Sequence, residues 1–195
     1  MLKKQKGGRG MFDAFLGFDL AVFDWIQRWF VSPLADGLMI AVTYAAYGIW
    51  VVLALILLYR KKTRRAGVTM VFSLLLMVGI NNLFLKNIFC RPRPFISDPS
   101  LSLKIPAPGG YSFPSGHASS SSCAAFSLLG ENRLVFSIAV GVAFWVSFSR
   151  IYLQVHYCSD VVFGFLLGIL YNRAAVWFVR RFVPVQFLGE EKIKM

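Results

Sequence analysis

From Leu38 to Leu58 the chain carries no charged residue. At ~1.5 Å per residue such a run crosses a hydrocarbon core of roughly 30 Å. It stops at the basic run YRKKTRR, 59–65. A second apolar run, from about Val68 to Leu85, closes with Asn81, Asn82 and then Lys86. The next stretch, CRPRPFISDPSLSLKIPAPGGYSFP, Cys90 to Pro114, is rich in Pro, Ser and Gly and cannot lie in lipid. Apolar segments resume with SGHASSSSCAAFSLLG, break at ENR, continue through LVFSIAVGVAFWVSFSRIYLQVHYC, and end with a run from Asp160 to about Arg181. Gly164 and Gly168, four apart in that last run, allow it to pack closely on a neighbour within the chain. Ahead of all these, residues 12–30 mix large apolar side chains with Asp13, Asp19, Asp24 and Arg28. That mixture predicts an amphipathic helix lying at the membrane surface, a tilted or partial span being the alternative. The pattern as a whole predicts an all-α, polytopic transmembrane helix bundle of five spans plus an N-terminal interfacial helix, which becomes a sixth span under that alternative. One integral-membrane domain covers 1–195, with a basic tail and the amphipathic helix in 1–32.

Composition agrees with a bilayer as the solvent. Hydrophobic residues make up 57% of the chain and charged ones 15%, against about 25% charged in a soluble domain. The net charge of +12 would suggest nucleic acid in a soluble protein. Here the basic residues gather at the ends of apolar runs: KKQKGGR at the start, YRKKTRR, Arg173, and Arg180 with Arg181. They predict cytoplasmic flanks and contact with anionic lipids rather than nucleic acid. With YRKKTRR inside, ENR and the C-terminal arginines also fall inside, and Lys86 emerges on the far side. The basic N-terminus does not fit unless residues 12–30 cross. Trp25, Trp29 and Trp177 are placed for the interfacial belts. Cys90, Cys123 and Cys158 lack metal-finger spacing and make no disulfide framework. No cleavable signal peptide is evident.

Three polar segments interrupt the grease: KNIFCRPRP with Lys86, Arg91 and Arg93; PSGH, 114–117; and SRIYLQVHYCSD, 149–160, with Arg150, His156 and Asp160. Ionisable groups at membrane depth are costly and mark function by default. His117 precedes the ENR turn by about 15 residues and Arg150 follows it by about 18, so both reach roughly 20–27 Å from the same surface. Two antiparallel neighbours would therefore bring these segments to one level near the outer interface, where Lys86 can join them. Lys86, Arg93 and Arg150 suit phosphate oxygens. Ser115 and Gly116 at a helix start offer backbone N–H groups and a hydroxyl to the same anion. The two histidines supply a nucleophile and a proton donor, and Asp160 can hold one ring nitrogen of His156. Arg91 is a further candidate for contact with the substrate.

Lys86-x6-Arg93-Pro94, Pro114-Ser115-Gly116-His117 and Ser149-Arg150-x5-His156-x3-Asp160 together resemble the three-part signature of the type 2 phosphatidic acid phosphatase superfamily, across 86–160. That family holds membrane lipid phosphatases, undecaprenyl-diphosphate phosphatases and vanadium haloperoxidases. The resemblance implies a hydrolase that needs no metal and no cofactor. His156 would attack phosphorus with Asp160 in support, and His117 would protonate the leaving group. Lys86, Arg93, Ser115, Gly116 and Arg150 would bind the phosphoryl oxygens. The expected substrate is a lipid phosphate or diphosphate, such as phosphatidic acid, phosphatidylglycerophosphate or undecaprenyl diphosphate, met at the extracytoplasmic face of the cell membrane. Gly116 leans toward the broader lipid phosphatases, since some polyprenyl-diphosphate members have Asp there.

Each feature also has a plain explanation. Basic residues at helix ends snorkel, serine runs serve packing, and Ser149 or Asp160 can cap a helix. Asn81 and Asn82 are assigned to hydrogen bonding within the bundle. Both histidines of the chain fall in the signature, which favours catalysis over these. A phosphotransferase passing the group to a lipid or sugar acceptor stays open, as does a non-enzymatic membrane scaffold. A haloperoxidase is disfavoured, because those relatives are typically larger and soluble.

Overall fold

In the computed structural model, residues 9–188 are described; the basic start at 1–8 and the end of the C-terminal tail lie outside them. The elements are α1 (Arg9–Trp29), α2 (Pro33–Tyr59), α3 (Arg64–Met77), α4 (Lys86–Phe89), α5 (Pro94–Ser97), α6 (Gly116–Phe126), α7 (Arg133–Tyr152), α8 (Cys158–Phe182) and α9 (Val185–Leu188). A π-helical stretch, Val78–Leu85, joins α3 to α4. No strand occurs among the described residues.

Four helical stretches among these residues are long and apolar enough to cross a membrane: Pro33–Tyr59, Lys61–Ser97, Arg133–Tyr152 and Cys158–Phe182. The chain is an integral membrane protein. Their outward faces carry Val51, Leu55, Leu75, Ile138, Phe144 and Leu170, all exposed, as lipid-facing positions should be. The inward face of α2 reads Met39, Thr43, Ala46, Trp50, Ala54 and Leu57, the three-and-four spacing of a buried stripe. Ser32 caps this helix by accepting from the Ala35 N–H at 3.2 Å.

The segment expected as a further span differs. α6 has only 11 residues, about 17 Å of helix, and nearly all of it is buried in the middle of the bundle. Its serines are satisfied locally: Ser119 Oγ donates to the Ser115 carbonyl, Ser122 Oγ to that of Ser119, and Ser120 Oγ to that of His117. Ser121 Oγ accepts from Trp50 Nε1 at 2.9 Å. α8 closes against α6 through Gly164 and Gly168; a methyl group on Gly164 would stand 2.7 Å from the Ser115 carbonyl oxygen, and one on Gly168 would strike Ser119 and Ser122.

α1 lies across one end of the bundle. Phe12 meets Phe89 and Phe113, Asp19 accepts from the Ser159 N–H, and Gln27 donates to the Tyr152 carbonyl. All these partners sit at the same end of the bundle. At the opposite end Lys62, Arg65, Glu131, Arg173 and Arg180 gather around one depression, so the three basic segments expected to share a side do share one.

Candidate active site

At the end covered by α1, the long 90–114 loop, the start of α6 and the α7–α8 turn close around a cavity of about 370 Å³. Lys86, Arg93, Gly116, His117, Arg150 and His156 line it. These six come from the three polar segments of the sequence. Ser115 and Asp160 are also buried but stand behind the wall. His156 occupies the turn Leu153–Tyr157, because α7 ends at Tyr152, earlier than the apolar run.

Arg93 is held from behind. It donates to the carbonyls of Gly109, Gly110 and Val155 at 2.9, 3.0 and 2.8 Å, and its Nη1 approaches His156 Nε2 at 3.2 Å. A guanidinium can only donate, so Nε2 accepts and the ring proton belongs on Nδ1. Nδ1 faces Ser112 Oγ at 3.5 Å and Asp160 Oδ2 at 3.7 Å. Burial pushes the His156 pKa down to about 4, the neighbouring Arg93 charge adding to it and Asp160 opposing. The imidazole is therefore held toward its neutral form, with the Nε2 lone pair directed at Arg93 Nη1 on the wall of the cavity.

The Asp160 carboxylate has more partners than the histidine alone. Oδ2 accepts from Ser112 Oγ at 2.5 Å and from the Tyr157 N–H at 3.0 Å, and Oδ1 pairs with Arg91 at 2.5 Å. Capping and histidine support are thus combined in one side chain. Across the cavity, His117 Nδ1 lies 3.4 Å from Tyr47 Oη, with the two rings 4.5 Å apart. Arg150 donates through Nη1 to Thr43 Oγ1, and its Nε has no partner.

Ser115, the two asparagines and Arg91 are placed as follows. Ser115 N–H is spent on the Asp160 carbonyl at 3.1 Å and cannot serve an anion; its buried hydroxyl has no partner. Asn81 is a bundle residue, donating to Ser119 Oγ and accepting from Tyr171 Oη, whereas Asn82 lines the cavity. Arg91 does not line this cavity. It is buried between Asp19 and Asp160, with its guanidinium sandwiched by Phe12 and Tyr157.

The model of the PAP2 superfamily matches residues 66–184. The chain belongs to the PAP2 superfamily. This PAP2 protein is 33% identical over 155 residues to the undecaprenyl-diphosphatase of Sulfolobus acidocaldarius, covering 78% of the chain and 74% of that protein. Among solved structures it resembles the transmembrane PAP2-type phosphatidylglycerolphosphate phosphatase of Bacillus subtilis, with TM-score 0.71, 24% identity, and 87% and 88% of the two chains covered. It also resembles Aquifex aeolicus LpxE, with TM-score 0.67, 27% identity, and 82% and 95% covered.

Sequence reasoning passed over Ser112, Thr43, Tyr47 and Asp19. Thr43 and Tyr47 did leave a signal, two polar groups one turn apart on a run otherwise free of charge. Asp19 was counted only as part of an amphipathic pattern. Among the described residues, no three His, Cys, Asp or Glu side chains cluster as a metal site.

Proposed function

We propose that this chain hydrolyses the phosphate monoester or diphosphate of a membrane lipid, without a metal, through a phosphohistidine on His156. The observation that carries the proposal is the convergence of His156, His117 and the three cationic side chains Lys86, Arg93 and Arg150 on one cavity, with His156 Nε2 accepting from Arg93. The domain is 1–195, with its catalytic part in 86–160.

Lys86, Arg93, Arg150 and the start of α6 at Gly116 hold the phosphoryl oxygens, their charges offsetting those of the substrate. Ser115 Oγ, buried and unpartnered just behind, is available to the same group. Nε2, freed as Arg93 turns its N–H to the phosphoryl oxygens, attacks phosphorus as the bond to the leaving oxygen breaks, and His117, protonated in the presence of the bound phosphate's negative charge, gives that oxygen its proton. The leaving group is a lipid alcohol from a monoester or a lipid monophosphate from a diphosphate. The ring of the phosphohistidine gains positive character, which Asp160 and Ser112 support at Nδ1. Water, losing a proton to His117, then attacks phosphorus, breaks the P–N bond and releases inorganic phosphate.

The names of the relatives support a lipid phosphate as substrate. The site opens at the end opposite the gathered basic residues, so under the positive-inside rule it faces the extracytoplasmic side of the cell membrane. Anionic lipids meet the basic flanks at the other face.

The test is phosphate release by purified protein in detergent with chelator present. Phosphatidic acid, phosphatidylglycerophosphate and undecaprenyl diphosphate form the panel, beside His156→Ala. Release that survives chelation and disappears in the variant is expected. Folded protein inactive on all three, but able to pass the group to a lipid or sugar acceptor, would replace hydrolysis by transfer.

A further inference from the structure

Asp19 belongs to the helix assigned to the membrane surface, yet its carboxylate is 0% exposed. Its Oδ2 pairs with Arg91 Nη2 at 2.7 Å and accepts from Ser159 Oγ at 2.7 Å, while Oδ1 accepts from the Ser159 N–H at 2.7 Å. Arg91 Nη1 donates to Ser159 Oγ at 2.8 Å and to Asp160 Oδ1 at 2.5 Å. Asp160 in turn faces Nδ1 of His156. An unbroken chain of buried polar contacts thus runs from α1 to the ring behind the cavity.

A staple for α1 alone would not require this arrangement. Phe23 and Ile26 already bury α1 against the bundle, and a buried ion pair is weak evidence for stability, since desolvation offsets most of its attraction. The charge balance suggests another role. Two carboxylates share one guanidinium, leaving one net negative charge beside Nδ1–H of His156. That excess favours the ring as it becomes cationic during attack. The other charges near this ring are Arg93 on the loop and Arg150 on α7, with Lys86 and His117 across the cavity.

We propose that Asp19 and Arg91 are positioning residues that hold Asp160, and through it His156, so that the seating of α1 on the membrane surface aligns the nucleophile. Neither lines the cavity that His156 faces. The inference rests on the phosphohistidine reading above, and the His156→Ala control separates the two. If that variant keeps its activity, the phosphohistidine reading fails; if it is dead while the relay variants match the parent, only the relay fails.

The experiment compares Asp19→Asn, Arg91→Gln and the parent on whichever lipid phosphate of the panel is hydrolysed fastest. Both variants are expected to lose roughly tenfold to hundredfold in kcat with KM within about twofold, the cost of a misaligned reacting group. The acid limb of kcat/KM should move in opposite senses. Removing the Arg91 charge favours the protonated ring and moves the limb to higher pH. Removing the Asp19 charge disfavours it and moves the limb lower. Unchanged kcat, or limbs that stay put or shift the same way, would overturn the relay, because simple loosening of α1 has no sign. Should either charge variant fail to fold, Ser159→Ala keeps both charges and decides the matter. A several-fold fall in kcat at unchanged KM supports the relay, and parent-like kcat overturns it.

Discussion

Ser112 Oγ stands 2.5 Å from Asp160 Oδ2 and 3.5 Å from His156 Nδ1, so the carboxylate reaches the ring partly through a hydroxyl. A hydrogen bond to a charged group is worth about 1.5–3 kcal/mol. Ser112→Ala should therefore lower kcat by about tenfold or more. KM should hardly move, since Ser112 does not line the cavity. A rise in KM at constant kcat would instead assign Ser112 to substrate binding. The second expectation at this scale concerns pH. As the proposed nucleophile His156 must be neutral, and burial lowers its pKa from 6.5 to about 4. Activity should thus persist as pH falls below 6.5 and disappear through about 4. This is read from kcat/KM after allowance for the substrate's own second ionisation near pH 6. An acid limb at about 6.5 on a substrate without that ionisation would mean a solvated ring. These side chains also mark the limit of sequence reading. The signature positions were legible because ionisable groups in apolar runs are conspicuous. Ser112 was not, since it lies among other loop serines and its role depends on where a 25-residue stretch of irregular chain is folded back.

At the scale of elements, the contact between α6 and α8 sets the site. Serine hydroxyls on α6 bond backward to their own helix, which leaves a surface low enough for the glycines of α8 to approach. Gly168→Ala would drive a methyl group into Ser119 and Ser122. Overpacking of this kind costs about 1–3 kcal/mol and should appear as a lowered unfolding midpoint in detergent. Gly164→Ala presses instead on Ser115, at 2.7 Å from its carbonyl oxygen, beside the cavity. It should cost activity beyond its cost in stability. Parent-like midpoint and activity for both would mean that the two helices lie further apart. The glycine spacing was readable in the sequence, but the shortness of α6 was not. Composition describes an apolar stretch without saying whether lipid or neighbouring helices surround it. The early end of α7 was hidden for the same reason, because Leu153 and Val155 continue the apolar run while both are buried inside the turn.

For the whole molecule, the division between its two ends carries the functional direction. One end holds the cavity, α1 and the long loop; the other gathers Lys62, Arg65, Arg173 and Arg180. The basic segments of that second end are legible in the sequence, which leaves open whether residues 12–30 lie flat or cross. In the fold, Phe12, Asp19 and Gln27 of α1 all find partners at the cavity end. The positive-inside rule, applied to the clusters at 59–65 and 173–181, predicts that the second end is cytoplasmic and the cavity end extracytoplasmic. A cysteine introduced at Ser100 or at Glu131 tests this in intact cells, with Cys90 replaced to remove the partly exposed thiol and the buried Cys123 and Cys158 kept. Ser100 is exposed on the cavity-side loop and Glu131 partly exposed at the opposite end. A membrane-impermeant maleimide should label Ser100→Cys directly and Glu131→Cys only after permeabilisation. The reverse pattern would turn the active site toward the cytoplasm, and a lipid phosphate of the inner leaflet would then be the substrate to seek.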